Sequence, residues 1–416
     1  MTAQANRAPE PAGVPGGVGR PWTLCGLALT QMIGWGTTFY PIAIIGRAVE
    51  RDLGASRELI YAGLTVMLTV SALIAPRIGR RLDREGARFV MMAGSLLSGT
   101  GLAVVALAPD LLIYLLGWVL LGLMMPMALT LSAFTAITQV MGAGTRRAIT
   151  LMTFFTGLAS TLFWPLMQVL LPLLGWRLML LVFAAVQFLV CLPIHWWVLP
   201  SPAAHRHRLT MTNSLVEQTG ILGSAQRVPA LILAAAATSL HGIVGWGLAL
   251  HFIDMFKSLG LAETVAVTIA SLNGIMQVSA RLADFVSGSR HSPLAIGVIA
   301  VLLQPLAFIA ILAIGATPVT AFLFILGYGI SAGLMTIVRV TLPLYLFGRA
   351  VYGTYAGRLT LPQNIVFGIA PVVFAAILDQ GGSVIALWTA LATSLGGVVA
   401  MLALSQYARA PALGRT

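Results

Sequence analysis

Gly79-Arg80-Arg81-Leu82-Asp83-Arg84-Glu85-Gly86-Ala87-Arg88 is a polar stretch set between two apolar runs, 58–76 and 89–108. It places one central acid, Asp83, among five arginines when Arg77 is included, and its glycines permit a tight reversal. Each flanking run has about the 20 residues that cross a hydrocarbon core of roughly 30 Å at 1.5 Å per residue. The stretch therefore reads as a short connection between two membrane helices. An acid at that boundary can face a helix N-terminus, where the dipole favours it by about 0.3–1 kcal/mol when exposed and more when buried.

Composition extends this reading to the whole chain. Of 416 residues, 58% are hydrophobic and 9% charged, which excludes a water-soluble enzyme and a disordered protein. Two cysteines, Cys25 and Cys191, exclude a disulfide scaffold. Twelve apolar runs are present, at about 22–46, 58–76, 89–108, 111–136, 148–171, 176–199, 229–253, 264–283, 292–312, 318–347, 352–378 and 384–404. They are too long for the strands of a membrane barrel, so helices are expected, with the backbone bonded within each span. The expected fold is an all-α membrane protein of twelve transmembrane helices. Residues 1–21 and 406–416 read as cytoplasmic tails, the first disordered. The polar segment 200–228 reads as a linker between bundles 22–199 and 229–405.

The net charge of +12 would suggest nucleic acid on a soluble protein. Its distribution gives another explanation. With the N-terminus inside, 17 basic residues fall in cytoplasmic segments, including Arg7, Arg20, Arg206, Arg208, Arg281 and Arg415, against five on the other side, Arg47, Arg51, Arg57, Arg177 and Lys257. This is the positive-inside pattern. It places the chain as a multi-pass protein of the inner (plasma) membrane, bacterial by its preference for Arg over Lys, with both termini cytoplasmic.

The halves also resemble one another. Ile33-Gly34-Trp35-Gly36 in span 1 matches Val244-Gly245-Trp246-Gly247 in span 7, and the same offset of 211 pairs Tyr40 with His251. Arg80-Arg81-Leu82-Asp83 matches Arg281-Leu282-Ala283-Asp284 at an offset of 201. Such a duplication places a substrate near the bilayer midplane, between bundles that rock about it.

The Gly79–Arg88 stretch resembles the signature loop of the major facilitator superfamily, G-x-x-x-D-R-x-G-R-R, with Gly79, Asp83, Arg84, Gly86 and Arg88 in register. Gly175-Trp176-Arg177 at the start of span 6 resembles another feature of that family. The resemblance covers roughly 22–405 and implies two pseudo-symmetric six-helix bundles and alternating access. It implies that Asp83 bridges the halves near the start of span 11 as a latch for the outward-open state, with Asp284 as a looser copy because no glycines frame it. Some family features are missing. Trp118 stands where span 4 often carries Arg before Gly122, and Gly157 and Pro165 do not form the span 5 motif of drug/proton antiporters. The Gly-Trp-Gly of span 1 faintly resembles monocarboxylate and oxalate carriers, whose span 8 Asp and Arg are replaced here by Asn273 and Gln277.

Polar groups inside spans are the candidate substrate ligands. Arg339 lies about 12 Å from the cytoplasmic end of its run; it could bind an anionic group or snorkel to the interface. Arg358 poses the same choice nearer its span end. His241 and His251 could relay protons or serve as structural hydrogen-bonding residues. Gln31, Tyr40, Asn273, Gln277, Gln363 and Asn364 could line the path or join helices. Cys25 and Cys191 read as apolar fillers, the alternative being a soft metalloid such as arsenite. No metal, nucleotide or catalytic signature is found, so no cofactor and no enzymatic activity are expected.

The expected function is secondary transport of a small organic solute, with an anion favoured by Arg339 and Arg358 and with a proton or solute gradient as energy source. Drug or arsenite efflux, or a transport-dead membrane sensor, are the alternatives. The expected partners are the solute, protons and the lipid bilayer, with the chain acting as a monomer and no nucleic acid bound. Reporter fusions within 200–228 are expected to read out as cytoplasmic; an external readout would overturn the topology.

Overall fold

The computed structural model of the chain describes residues 20–141, 144–205, 220–249, 251–287 and 290–409. Most of the expected N-terminal tail, the middle of the linker and the C-terminal end, with Arg7, Arg206, Arg208 and Arg415, lie outside the described residues.

The described residues are helical, with no strand among them. The first bundle comprises α1 (Arg20–Thr38), α2 (Pro41–Leu53), α3 (Arg57–Glu85), α4 (Ala87–Leu107), α5 (Leu111–Ala128), α6 (Thr130–Val140), α7 (Thr145–Gly157), α8 (Ala159–Val186), a π-helical turn Gln187–Cys191 and α9 (Leu192–Val198). The second comprises α10 (Arg227–Leu248), α11 (Phe252–Ser258), α12 (Glu263–Val286), α13 (Pro293–Ile314), α14 (Pro318–Phe347) and α15 (Tyr352–Arg409).

Nine helical stretches among the described residues are long and apolar enough to cross a membrane. Two of these, Thr145–His205 and Tyr352–Arg409, reverse direction at Gly175 (φ +69°) and Gly382 (φ +73°). That left-handed backbone is open to glycine at little steric cost, and each stretch thereby supplies two crossings. With the broken pair α1–α2, the expected twelve spans are accounted for. Leu173, Leu189, Val319, Val372 and Val399 are each two-thirds or more exposed, an apolar exterior suited to lipid and not to water.

Helix breaks follow the sequence. Pro41 has no amide N–H to continue the hydrogen-bond ladder of α1 and suits the first position of a new helix, so α2 begins there. Tyr40 then stands at the start of α2, and His251 stands at the start of α11. The two residues paired by the 211-residue offset thus mark equivalent breaks in spans 1 and 7. Leu129 separates α5 from α6 with ψ −145°. Two side chains bond to carbonyls beside that break: the Ser132 hydroxyl donates to the Pro126 carbonyl at 2.7 Å, and Gln31 Nε2 to the Ala128 carbonyl at 2.7 Å. Gln31, a candidate substrate ligand from its position, is buried in this structural role.

The glycines of the repeated motif also act through packing. Leu129 presses on Gly34, Phe163 on Gly36 and Phe374 on Gly247 more closely than a Cβ would allow. Those glycines admit neighbouring side chains into the faces of spans 1 and 7 and leave Trp35 and Trp246 between them.

One end of the first bundle is held by the Gly175-Trp176-Arg177 turn. Asp52 Oδ2 accepts from Trp176 Nε1 at 3.2 Å and from Arg177 Nε at 2.9 Å, while Arg177 NH1 donates to the Ala106 and Ala108 carbonyls at 2.7 and 2.8 Å. Arg177 thus ties the α2 end, the α4 end and the second half of α8 together. Arg177→Ala removes charge-assisted bonds and leaves two carbonyls to water. A loss of about 1–3 kcal/mol is expected, read as a lower thermal midpoint in detergent with the helical content unchanged.

Candidate functional site

The Gly79–Arg88 stretch is only partly a loop. Helix α3 runs on to Glu85, nine residues past the end of the expected span, and the reversal rests on Gly86 alone (φ +83°) before α4 begins at Ala87. Gly79 and Asp83 are therefore helical, and the expectation that Gly79 serves the turn is corrected. Gly79 instead lies against Gly353 of α15, whose carbonyl would overlap any Cβ at position 79. One turn away, a Cβ on Gly357 would meet the Ala75 carbonyl at 2.5 Å. Ala75 and Gly79 on α3 thus face Gly353 and Gly357 on α15, a small-residue crossing that lets two backbones touch.

That crossing brings Asp83 onto the first turn of α15. Its Oδ1 accepts from the Gly353 amide at 2.8 Å and its Oδ2 from the Thr354 amide at 2.7 Å. These amides have no carbonyl partner within their own helix, and the positive end of the helix dipole favours the carboxylate. A side chain at position 353 would collide with Asp83 Oδ1, since a Cβ there lies 2.7 Å from it. Around this contact, Arg81 pairs with Glu85 at 2.7 Å, Arg84 is exposed, and Arg88 lies 4.4 Å over the Trp196 ring. His205, at the start of the linker, packs on Gly86 and hydrogen-bonds through Nε2 to the Asp83 carbonyl at 3.1 Å.

The second copy is looser. Asp284 on α12 lies 3.9 Å from an Arg146 nitrogen and 3.4 Å from the Thr150 hydroxyl, both on α7. Arg147 lies over the Phe285 ring at 5.3 Å. The two acids therefore join the bundles at the same end: α3 to α15, and α12 to α7. Asn364 Nδ2 donates to the Ser71 hydroxyl across the first of these crossings at 3.1 Å.

Inside the bundle, aromatic rings meet across the halves. Trp35 contacts Phe39 edge-on at 5.1 Å, Phe39 contacts Trp246 at 6.0 Å, and Trp246 stacks on Phe367 at 5.2 Å and 11°. Arg339 lies 4.7 Å over Phe367. Phe367 is about 22 Å along α15 from its start at helical rise, so Arg339 points into the bundle and does not snorkel. Its Nε has no hydrogen-bond partner.

Arg281, counted from sequence among the cytoplasmic loop charges, is inside α12 and half-buried, and that assignment is corrected. Its NH2 reaches Gln277 Oε1 at 3.4 Å and Thr336 Oγ1 at 3.5 Å, both long, and its Nε has no partner. Its NH1 lies against Gly157 of the other bundle, and its charge is near enough to interact with the Tyr40 hydroxyl. The signal available in sequence was the register: Arg281 falls one helical turn after Gln277, on the face that candidate already occupied.

The remaining candidates are dispersed. Asn273 packs against Gly329, with its Oδ1 unpartnered. His241 bonds Ser331 at 2.8 Å, Gln363 donates to Thr238 at 2.9 Å, and His251 Nε2 lies 3.4 Å from the Pro371 carbonyl. Arg358 is exposed over Tyr355, a ring Arg227 also approaches; it sits near the start of α15 and not beside Arg339. Cys25 is exposed and Cys191 buried, both free.

Two bundles with equivalent helix breaks, joined at one end by acid contacts and enclosing a polar and aromatic midsection, define a secondary-transporter scaffold. Residues 24–371 match the Major Facilitator Superfamily, and the chain belongs to that family. Among solved structures, the proton:xylose symporter XylE bound to 6-bromo-6-deoxy-D-glucose superposes with TM-score 0.69 at 12% identity, covering 94% of this chain and 97% of that one. The human organic anion transporter MFSD10 (TETRAN) superposes with TM-score 0.67 at 16% identity, covering 92% and 98%. These likenesses establish the fold. A curated relative, the transcription regulatory protein OpdE of Pseudomonas aeruginosa, is 30% identical over 203 residues, and the chain spans about half the length of that relative, with 48% of each covered.

Asp83→Asn keeps the shape but removes the charge facing two amides. A loss of about 1–2 kcal/mol from the joined state is expected, roughly a ten-fold shift in its population. Spin labels at Arg84 and Val351 should report it as a longer distance distribution at unchanged expression. An unaltered distribution would sink the latch.

Proposed function

We propose that the protein is a secondary transporter of a small organic anion, working by alternating access. The observation that carries this reading is the pair of guanidinium groups inside the bundle, Arg281 and Arg339. Neither is in an ion pair among the described residues, and each has an unpartnered buried Nε. A cation without a counter-charge in low dielectric is costly. An arriving anion supplies the missing partner, and Arg offers two parallel donors to a carboxylate.

Asp83 and Asp284 act as the two latches of one end. By the positive-inside reading that end is cytoplasmic, so the joined state faces outward. Opening it requires Asp83 to leave the α15 amides and Asp284 to leave α7, after which the path faces the other side. A proton or solute gradient supplies the energy, the protein is multi-pass in the inner membrane as a monomer, and it performs no enzymatic chemistry. That a solved organic anion transporter shares the fold is in keeping with the substrate class.

The similarity to OpdE favours one competing reading, a membrane regulator that senses a solute without moving it. The small-residue crossing at Gly79 and Gly353 argues for transport, because a static sensor has less need of a separable backbone contact.

The test is uptake in proteoliposomes under an imposed proton gradient, with labelled organic anions and a neutral sugar. Anion uptake is expected. Arg281→Ala and Arg339→Ala should each abolish it, and the lysine variants should lower it by roughly ten-fold or more, because a point charge does not replace a fork of donors. Binding without uptake would favour the sensor. Sugar uptake indifferent to both arginines would overturn the anion reading.

A further inference from the structure

We propose that the anion is a planar aromatic carboxylate, held by its carboxylate on Arg281 and by its ring beside Trp246. This rests on the anion reading above and narrows it.

The carboxylate end is set by Arg281. Its Nε is unpartnered, and its contacts to Gln277 and Thr336 are long enough to yield to a charged acceptor. The opposite bundle presents Gly157, whose missing side chain leaves the room that Arg281 NH1 itself takes, and beside the guanidinium the Tyr40 hydroxyl. A carboxylate seated there takes donors from Arg281 on one half and can accept from the Tyr40 hydroxyl on the other. Arg281 is the only arginine among the described residues shown in contact with the α7 glycine and coupled to the α1–α2 break.

The ring end is set by the aromatic side chains that meet across the two halves, of which Tyr40 lies by Arg281. Trp35, Phe39 and Tyr40 come from α1 and the break that follows it, and Trp246 and Phe367 from the second bundle. Trp35, Phe39, Tyr40 and Trp246 are only half-buried. Phe39 meets Trp246 edge-on across the halves, a contact that a flat substrate ring can replace without loss of quadrupole complementarity. Open space lies beside one glycine of α10 and one of α12. A Cβ added at Gly245, beside Trp246, or at Gly274 would meet no atom within 4 Å. Gly274 precedes Arg281 by two turns on the same face of α12, about 10 Å at helical rise, which is room for one ring and its carboxylate. Arg339 on Phe367 adds positive charge to the stacked wall without occupying the carboxylate position. A site for short aliphatic anions would not need five aromatic side chains from two bundles.

The proposal is tested by competition in the same proteoliposomes, using benzoate, cyclohexanecarboxylate, acetate and benzamide. Benzoate is expected to win over cyclohexanecarboxylate, which has its charge and size without its ring electrons, by roughly three- to ten-fold. Benzamide should not compete. Trp246→Leu should bring benzoate and cyclohexanecarboxylate within about two-fold of each other, Trp246→Tyr should retain the preference, and Arg281→Lys should weaken both acids alike. If Trp246→Leu does not fold, Trp246→Tyr and Arg281→Lys still test the assignment, because only the second should depress both acids. Equal competition by benzoate and cyclohexanecarboxylate, or preference for acetate, would overturn the aromatic assignment and leave the anion reading standing. Failure of every anion to be transported would overturn both.

Discussion

The carboxylate of Asp83 on the first turn of α15 is the contact about which the rest is arranged. A helix N-terminus offers amides with no internal partner, and an acid that meets two of them satisfies both and interacts favourably with the dipole. To reach them, α3 must cross α15 at backbone distance, which is why Ala75, Gly79, Gly353 and Gly357 carry little or no side chain at the crossing. The contact is strong because it is charge-assisted, and separable because it involves no interlocked side chains. Both properties are needed by an element that must hold one state and release it.

The same logic explains the difference between the two copies. Asp83 binds backbone amides at 2.7–2.8 Å, whereas Asp284 depends on the side chains of Arg146 and Thr150 at 3.4–3.9 Å. The repeat retained the acid and its position at a helix end but not the small-residue crossing that brings backbones together. On the α12 side, closeness to the other bundle is achieved at Gly157, and the group occupying it is the Arg281 guanidinium. One crossing seats a carboxylate on a helix start. The other has placed a cation at the junction.

The span pattern was legible in the sequence because the lipid core imposes a length on every crossing, and the repeat because Trp35, Trp246, Asp83 and Asp284 stayed at matching offsets. The breaks at Tyr40 and His251 were not marked by hydropathy, although the offset paired the two residues. The site was less legible. Gly79 read as a turn residue because glycine has two uses, conformational freedom and the absence of bulk, and only the partner helix distinguishes them. Gln31 read as either a path-lining or a helix-joining residue, and the carbonyl it satisfies belongs to the α5–α6 break at Leu129, which hydropathy does not mark. Arg281 was assigned to the loop because charge near a span end is normally solvated. Its burial depends on α7 and α14, which are distant in sequence. Arg339 lay deep enough in its run for its depth to be informative, while its partner Phe367 was not foreseeable.

The position of Arg281 links binding to movement. A ligand shifts a conformational equilibrium only by binding its two states unequally. A group deep within one bundle would see the same surroundings in both states and would couple weakly. Arg281 lies instead at the α7–α12 contact, three residues before Asp284, with Gly157 and Tyr40 of the other bundle as neighbours. In the proposed alternating-access cycle, opening of the joined end withdraws those neighbours, so an anion on Arg281 has different surroundings in the two states. Occupation of that one guanidinium would therefore bias the same equilibrium that the Asp83 and Asp284 contacts set, without any relay between distant sites.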